Sequence, residues 1–305
     1  MKNLSPIVLF VYNRPWHTQK TIEALQKNEM AIESDLIIYS DEAKNENEQA
    51  NVNKVRLYID QIDNFKKITI VKRDKNWGLA NNIIDGVTKI VNQYGKIIVL
   101  EDDMVTSPYF LKYMNEALEF YKDEKKVFHI SGWNYPINSD NLSDVFLWRV
   151  MNCWGWSTWR DRWKYFEKDV DKTISVFSKE DIKRFNLEVS ADFFKQIIAN
   201  KEKKINSWSI FWYATIFKKN GLCLNPTQTF LQNIGHDGSG VHCDVNETYV
   251  SKISLNKNVK FTLNIDEDKI ALKKVQDFYI SNKKFFLARV INKLARMTIG
   301  KNIIK

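Results

Sequence analysis

The feature that most constrains the fold is an alternation of short apolar runs with helical patterns across the first hundred residues. The apolar runs are typical of buried strands, and the segments between them carry apolar residues at helical spacing. The predicted strands cover 7–12, 36–39, 68–71 and 97–100, and the predicted helices cover 17–27, 52–62 and 79–94. Strands that alternate with helices in this way indicate an α/β domain with a mostly parallel central sheet.

Polar side chains directly follow three of these four predicted strands. Asn13 and Arg14 follow the first strand, Asp41 follows the second, and the acidic triplet Glu101–Asp103 follows the fourth. The carboxyl ends of parallel strands meet at one edge of a sheet, and ligands of such folds bind in the crevice outside that edge. We therefore expect these side chains to converge on one ligand site.

The acidic triplet presents carboxylate oxygens at the predicted sheet edge. Mn²⁺ and Mg²⁺ accept such oxygens, usually from one or two carboxylates, while phosphate oxygens and water complete the shell. Because carboxylates alone would repel a diphosphate, a bridging cation is the natural partner of such a ligand. A solvated acidic loop is the alternative interpretation.

Two nucleotide-binding classes are excluded by their glycine motifs. A P-loop nucleotidase requires G-x-x-x-x-G-K-[ST], but Gly95-Lys96 is followed by Ile97 and no such motif occurs in the sequence. The glycine-rich segment 235–240 opens no apolar helix, so it does not fit the dinucleotide-binding fingerprint either.

Charge and cysteine content restrict the class of partner and the compartment. The chain has 46 Lys and Arg against 37 Asp and Glu, and this net charge of +9 favours anionic partners. Its three cysteines are odd in number and lack C-x-x-C spacing, which fits a reducing compartment. No apolar stretch approaches the roughly 20 residues that span a bilayer. These patterns predict a cytoplasmic protein.

Six segments occur in an order that matches a known type of enzyme: Val11–Pro15, Asn76–Asn82, Glu101–Asp103, Ser131–Asn134, Gly155-Trp156 and Asn220–Cys223. The first resembles the opening strand and turn of bacterial family-2 sugar transferases, and the second resembles the asparagine-glycine stretch that precedes the acidic motif in that family. The other four are similar to the N-acetylglucosaminyltransferase I group. The resemblance covers roughly residues 5 to 245. It implies the GT-A fold, a Rossmann-like fold of nucleotide-diphosphosugar transferases.

The same resemblance implies an activity and its ligands. The expected reaction is a metal-dependent, inverting transfer of a sugar from a UDP-sugar donor to a surface glycan such as lipopolysaccharide or capsule. By this likeness Arg14 lies near the nucleotide and Asp41 accepts a uracil N–H, while Glu101 and Asp102 meet the ribose or the donor sugar. Three neighbouring side chains complete the expected donor site: Tyr12, Asn13 and Asn82.

The resemblance also implies the metal ligands. Asp103 is expected to bind the Mn²⁺ or Mg²⁺ that bridges the donor diphosphate. The late segment 233–242 has three glycines, two histidines and one carboxylate. Glycines permit a close approach of the backbone to a ligand, and histidine suits Mn²⁺. His242 resembles the late histidine that completes the metal shell in many GT-A enzymes, with His236 as the second choice. A loop histidine that only forms hydrogen bonds is the alternative.

An inverting transfer requires a carboxylate that takes the proton of the acceptor hydroxyl. The N-acetylglucosaminyltransferase I group places an aspartate beside a tryptophan in the segment that here reads 208–212, but no acid occurs between Ile205 and Phe217. The first substitute as catalytic base is Asp237, and the second is Asp161. Either is alternatively a surface or helix-capping residue.

Five of the ten tryptophans fall between positions 148 and 163. Indole rings offer a flat apolar face to a sugar. Trp154 and Trp156 lie on the predicted turn, and we expect them to contact a sugar of the acceptor. Trp159 and Trp163 are expected in the core, because with Trp156 they have the i, i+3, i+7 spacing of a helix stripe.

The chain is predicted to divide into a catalytic domain, 1–250, and a linker with a basic amphipathic extension, 251–305. From Asn282 to Lys305 there are seven Lys and Arg and no acid. A basic amphipathic helix favours an anionic membrane surface, here the inner face of the membrane beside lipid-linked glycan acceptors. A helix packed on the domain with a solvated basic face is the alternative.

Two other functions are compatible with parts of the sequence. A non-catalytic carbohydrate-binding protein on a glycosyltransferase-like fold is favoured by the tryptophan cluster and by the missing acid near Ser209. A nucleic-acid-binding module is favoured by charge alone. Because the basic excess lies in the tail and not among exposed aromatic residues, we expect no nucleic acid partner.

Overall fold

An eight-stranded sheet organises the residues that the computed structural model describes, 3–238 and 248–283. In chain order its strands are β1 (Ile7–Val11), β2 (Asp35–Ser40), β3 (Lys67–Lys72), β4 (Lys96–Glu101), β6 (Val127–Ser131), β7 (Val145–Trp148), β8 (Trp156–Trp159) and β9 (Leu222–Pro226). A separate two-stranded sheet pairs β5 (Met104–Thr106) with β10 (Leu231–Asn233).

Helices cover the sheet and fill the connections between its strands. They are α1 (Pro15–Gln26), α2 (Glu46–Ile59), α3 (Leu79–Tyr94), α4 (Phe110–Phe120), α5 (Arg160–Trp163), α6 (Val170–Val176), α7 (Lys179–Phe185), α8 (Phe194–Lys201), α9 (Ser209–Lys218) and α10 (269–283), with a 3-10 turn at Ala31–Glu33. α3 packs on β1 and β4, and α4 packs on β6 and β8.

The strand order in the large sheet is β3-β2-β1-β4-β8-β6-β9-β7. Strands β1 to β4, β6 and β9 run in the same direction, whereas β7 and β8 are antiparallel to their neighbours. The prediction of an α/β fold with a mostly parallel central sheet is confirmed.

Local sequence explains the inner strands and the helix that follows β3. All five residues of β1 are buried, because helices cover both faces of a central parallel strand. The edge strand β3 instead consists of exposed and partly buried residues, and none of its six residues is buried. Helix α3 ends at Gly95, whose φ of 82° is a left-handed conformation that glycine adopts at little cost.

The strand directions define two edges of the sheet. At the carboxyl edge the parallel strands end, so 12–14, 41, 102–103, 132–135 and 227–230 all lie there. Because β8 and β7 are antiparallel, they begin at this edge, and Val99 pairs with Trp156 while Pro226 pairs with Val145. The opposite side is the amino edge. The topology therefore brings segments from distant parts of the sequence to one crevice.

Residues 251–283 contact the sheet domain along their length. Ser254 donates its backbone N–H to the carbonyl of Thr229 at 2.6 Å, and the hydroxyls of Tyr279 and Tyr135 are 2.8 Å apart. Ala271 and Val275 of α10 are fully buried. The domain boundary at residue 250 stays a prediction. The basic tail beyond residue 283 lies outside the described residues.

Within 3–238 and 248–283, no helix has both the length and the hydropathy that crossing a bilayer requires.

Candidate active site

Arg14 and the acidic triplet meet at the centre of the carboxyl edge. Because β1 pairs with β4, the residues that follow β1 lie beside those that follow β4. The guanidinium of Arg14 donates to Asp102, and it donates to Oδ2 of Asp103 at 2.9 Å. Both aspartates are nearly buried. The structure thus brings together two of the three strand ends that the sequence singles out.

The triplet carries more negative charge than Arg14 neutralises. Burial, together with the charges of Asp103 and Asp102, raises the pKa of Glu101 to about 8. Burial also raises the pKa of Asp102 above its ordinary value, although Arg14 acts in the opposite direction. Crowded carboxylates of this kind attract a further cation, because each additional positive charge relieves their mutual repulsion.

Asp103 has an oxygen available for such a cation. Its Oδ1 is buried and has no hydrogen-bond partner among the described residues. Its backbone carbonyl accepts the N–H of Ile234 at 2.9 Å, which holds the late glycine-rich segment against the triplet. A Cβ atom at Gly235 would lie 2.2 Å from Oδ2 of Asp103 and 2.9 Å from Nη1 of Arg14. Glycine is therefore needed at 235 for this close approach.

The carboxylate oxygens at this site suit a hard divalent cation whose remaining coordination positions are filled by the substrate. No group of three or more His, Cys, Asp or Glu side chains is arranged to hold a metal in the described parts of the chain. Mg²⁺ sites that act on phosphates commonly use only one or two carboxylates, because phosphate oxygens and water supply the rest. The unpartnered oxygen of Asp103 meets that requirement.

His242, the expected histidine ligand, lies outside the described residues, because these do not include 239–247. The second choice, His236, directly follows Gly235. Its Nε2 is buried without a hydrogen-bond partner in the described structure. Its ring packs against Trp154 and Tyr249, with centroids 5.2 and 5.7 Å away. His236 thus lies in the segment that approaches Asp103, with a ring nitrogen that no described residue engages.

The two candidate bases lie at opposite edges of the sheet. Asp237 follows His236 and is 3.0 Å from Nε2 of His17, a buried residue in the first turns of α1 beside the site. Asp161 instead follows β8, which ends at the amino edge where Trp159 pairs with Lys96. Its carboxylate is paired with Lys125 and Arg162. The structure thus places Asp161 away from Arg14 and the acidic triplet, and its role as a catalytic base stays a prediction.

Asp41 orders the loop between β3 and α3. Its carboxylate accepts the backbone N–H of Trp77 and of Gly78, each at 2.9 Å, and that of Glu42 at 3.0 Å. A carboxylate has about four acceptor positions, so three are occupied and one remains for a ligand N–H. The guanidinium of Arg73 stacks 3.9 Å from the ring of Trp77. Sequence reasoning missed Arg73 and Trp77, although the Asn76–Asn82 motif contains the latter.

The other expected donor residues have partners within the protein. The side-chain oxygen of Asn82 accepts Nε of Arg73 at 2.9 Å, so this buried residue supports the loop. Tyr12 donates its hydroxyl to Glu48 and accepts the N–H of Lys44 at 2.9 Å. Burial raises the pKa of Tyr12 to about 12. Asn13 is partly buried at the same edge, between Tyr12 and Arg14.

The two tryptophans that were expected to contact sugar differ in position. Trp154 is half-buried at the carboxyl edge and packs on Trp133 and Tyr249, with centroids 4.5 and 5.7 Å away. Trp156 is only 1% exposed, because it lies in β8 and stacks on His129 and Trp208. Trp156 therefore offers a sugar far less surface than Trp154 does, and its role as a sugar contact stays a prediction.

Three solved structures similar to this chain are a mannosyltransferase, TarS and GlyE. PcManGT from Pyrobaculum calidifontis is 10% identical, with 72% of this chain and 70% of that chain covered and a TM-score of 0.40. TarS 1-349 from S. aureus is 10% identical, with coverages of 74% and 59% and a TM-score of 0.40. GlyE from Streptococcus pneumoniae TIGR4 is 10% identical, with coverages of 72% and 45% and a TM-score of 0.35. The chain thus spans less than two thirds of the TarS and GlyE chains.

Sequence comparison assigns the family. No curated protein sequence matches the chain. The family model described as the GNT-I family matches residues 1–175, which comprise the strands β1 to β8 and the acidic triplet. Because this match covers more than half of the 305 residues, the chain belongs to the GNT-I family and is a nucleotide-sugar-dependent glycosyltransferase of the GT-A type.

Proposed function

We propose that this protein transfers a sugar from a UDP-sugar to a cell-surface glycan, with inversion at the sugar and with Mn²⁺ or Mg²⁺ as cofactor. The observation that carries the proposal is Oδ1 of Asp103, which is buried and has no hydrogen-bond partner among the described residues, while Oδ2 of the same carboxylate accepts from Arg14. A site with one free carboxylate oxygen and one guanidinium suits a metal diphosphate better than it suits a sugar alone.

Asp103 would hold the cation, and His242, or His236 as the second choice, would be the histidine ligand. When bound, such a cation supplies Lewis-acid stabilisation of the departing diphosphate. Arg14 keeps Asp102 and Asp103 in place and offers its remaining N–H groups to phosphate oxygens. Asp41 and the loop that it orders form the wall against which the nucleobase is expected.

Asp237 is our choice for the base that takes the proton from the acceptor hydroxyl. It is 45% exposed, so a substrate can reach it, and its contact with His17 fixes it at the edge of the donor site. A carboxylate within hydrogen-bond reach of the attacking hydroxyl is what an inverting displacement needs.

The basic tail is the proposed contact with the membrane. Its seven Lys and Arg without an acid, and its apolar residues such as Phe286 and Leu294, favour an anionic surface. Attachment there would bring the enzyme to lipid-linked glycan acceptors.

Thermal unfolding with ligands tests the metal-diphosphate site. We expect Mn²⁺ and UDP together to raise the unfolding temperature more than either alone, since a ligand at about 100 times its Kd stabilises the fold by about 2.7 kcal/mol. Asp103→Asn should remove this joint effect. The control Asp123→Asn changes an exposed acid at the amino edge and should retain it.

Turnover of the donor is the second measurement. Release of UDP from UDP-glucose, UDP-galactose and their N-acetylamino forms should depend on Mn²⁺ and should be lost in Asp103→Asn. If no donor is turned over and Mn²⁺ with UDP gives no shift, the proposed donor and cofactor are wrong.

A further inference from the structure

A cavity of about 560 Å³ opens at the carboxyl edge, away from the acidic triplet. Its walls come from the loop 135–144, the β9–β10 connection 227–230 and the segment 250–259. The donor residues follow β1, β2 and β4, whereas this cavity lies where β6 and β9 end and β7 begins. Pockets that hold small molecules have volumes of about 300 to 1,000 Å³, so the cavity is large enough for a ligand.

The wall combines free hydroxyl and amide groups with aliphatic surface. The side chains of Ser139, Ser143, Gln228 and Ser251 line the cavity, and none of them forms a side-chain hydrogen bond with other described residues. Aliphatic residues, including Ile137 and Val259, line the same cavity. This combination of polar and apolar groups matches the hydroxyl groups and the apolar C–H faces of a sugar.

The charges of the wall exclude a strongly anionic ligand. Its described residues include one acid and one base, Asp144 and Lys252. Asp144 is engaged within the protein, because its carboxylate accepts the N–H of Lys260 at 2.9 Å and the amide of Asn256 at 3.3 Å. A single lysine does not neutralise a chain of phosphates or carboxylates, and the unpartnered hydroxyl groups disfavour an acyl chain.

The cavity is joined to the donor site through β10. Its wall residue Phe230 accepts the N–H of Ser107 at 2.7 Å, and Ser107 follows β5. Four residues further along, Ile234 donates to the carbonyl of Asp103 at 2.9 Å. At the rise of a strand, four residues span about 14 Å, so the cavity begins within that distance of the residue that would hold the metal.

Aromatic rings fill the interval between the two sites. The rings of His236 and Trp154 are 5.2 Å apart, those of Trp154 and Trp133 are 4.5 Å apart, and those of Trp133 and Tyr135 are 4.7 Å apart. Tyr135 lines the cavity. Ring contacts therefore connect the late glycine-rich segment to the wall of the cavity. Trp133 and Tyr135 are buried and support this connection, whereas the half-buried Trp154 keeps part of its ring open to a sugar.

We propose that this cavity is a second sugar-binding site, which holds uncharged sugars of the acceptor that are remote from the hydroxyl to be glycosylated. The inference rests on the proposed function and adds the class of acceptor to it, a neutral oligosaccharide rather than a single sugar. When an enzyme binds remote, non-reacting sugars of the acceptor, this binding helps to orient the reacting hydroxyl. A monosaccharide has no such remote sugars, so its hydroxyl is not oriented in this way.

Calorimetric titration with maltotetraose, cellotetraose and chitotetraose, without donor or metal, tests the site directly. We expect at least one tetrasaccharide to bind, and glucose and N-acetylglucosamine to bind more weakly. Ser251→Trp should abolish binding by filling the cavity. The double variant Ser139→Ala, Gln228→Ala removes two hydrogen-bonding groups from exposed positions and should weaken binding about tenfold.

Two controls separate this test from the test of the donor site. Ser175→Trp places the same ring on the exposed face of α6, outside the cavity, and should bind like the wild type. Asp103→Asn should also bind the tetrasaccharide normally, although it loses the effect of Mn²⁺ and UDP. The inference is overturned if none of the three tetrasaccharides binds, or if binding persists in both Ser251→Trp and the double variant.

Discussion

Arg14 connects the protein's own acids with the expected anionic ligand. In the structure its guanidinium is shared between Asp102 and Asp103. The cation of a bound diphosphate would add positive charge beside Asp103, and the diphosphate itself would add negative charge beside Arg14. Each member of the Arg14–Asp103 ion pair would therefore gain a further partner of opposite charge. The buried carboxylates, with pKa values raised for Glu101 and Asp102, thus mark a site that is electrostatically incomplete in the protein alone.

Asp237→Asn tests the choice of base. Loss of the proton acceptor should lower kcat for transfer by about 100- to 10,000-fold, the usual contribution of general base catalysis. The joint stabilisation by Mn²⁺ and UDP should persist, because Asp237 is not assigned to the donor. Initial rates of transfer, with thermal unfolding of the same samples, provide the measurement.

Asp161→Asn is the matched control for that experiment. It removes the other candidate acid, which lies at the amino edge and pairs with Lys125 and Arg162. Its kcat should equal that of the wild type. If Asp237→Asn keeps the wild-type kcat, the base lies elsewhere.

At the scale of elements, the conformation of the loop between β3 and α3 depends on the side chain of Asp41. Asp41→Ala removes the acceptor for the N–H groups of Trp77 and Gly78. Hydrogen bonds to a charged group contribute about 1.5 to 3 kcal/mol each, and part of this is recovered when water solvates the loop. We expect Asp41→Ala to lower the free energy of unfolding by about 2 kcal/mol in urea denaturation.

Asp74→Ala is the control, because this exposed acid of the same loop makes no side-chain hydrogen bond with other described residues. Its effect should stay within about 0.5 kcal/mol. Equal effects of the two variants would show that Asp41 does not order the loop.

Elements that are bounded by local signals could be predicted from the sequence. The predicted bounds of α3 are the observed ones, because Gly78 and Gly95 mark its two ends. The sequence also predicts the ends of the strands before Arg14 and Asp103, because each strand ends at an abrupt change from apolar to polar residues.

The tryptophan segment could not be predicted in this way. The sequence pattern predicts a turn at Trp156 and a helix stripe that includes Trp159, but both residues belong to β8. A strand that is buried on both faces shows no alternation, so its spacing does not distinguish it from a buried helix. The contacts of His17 with Asp237 and of Arg73 with Trp77 depend on tertiary packing, which one sequence does not reveal.

At the scale of the whole molecule, the sheet centre contains a histidine that couples stability to pH. His129 is fully buried, its Nε2 contacts the carbonyl of Asn152 at 3.0 Å, and its Nδ1 accepts the indole N–H of Trp212 at 3.3 Å. These partners fix the neutral tautomer with the proton on Nε2. Burial lowers the pKa of His129 to about 3.

This shift makes the fold sensitive to acid in a defined window. Above the ordinary histidine pKa of 6.5, neither the folded nor the unfolded chain binds the proton, so His129 has no effect on stability. Below 6.5 only the unfolded chain binds it, and the free energy of unfolding falls by about 1.4 kcal/mol per pH unit until the pH approaches 3. Urea denaturation at pH 7.5 and 4.5 should therefore show a loss about 2.7 kcal/mol larger in the wild type than in His129→Gln, which cannot titrate. Carboxylates also titrate in this range, but they contribute equally to both proteins and cancel in the difference. Equal losses in the two proteins would mean that His129 is protonated in the folded state, and that the hydrogen bond from Trp212 is not formed.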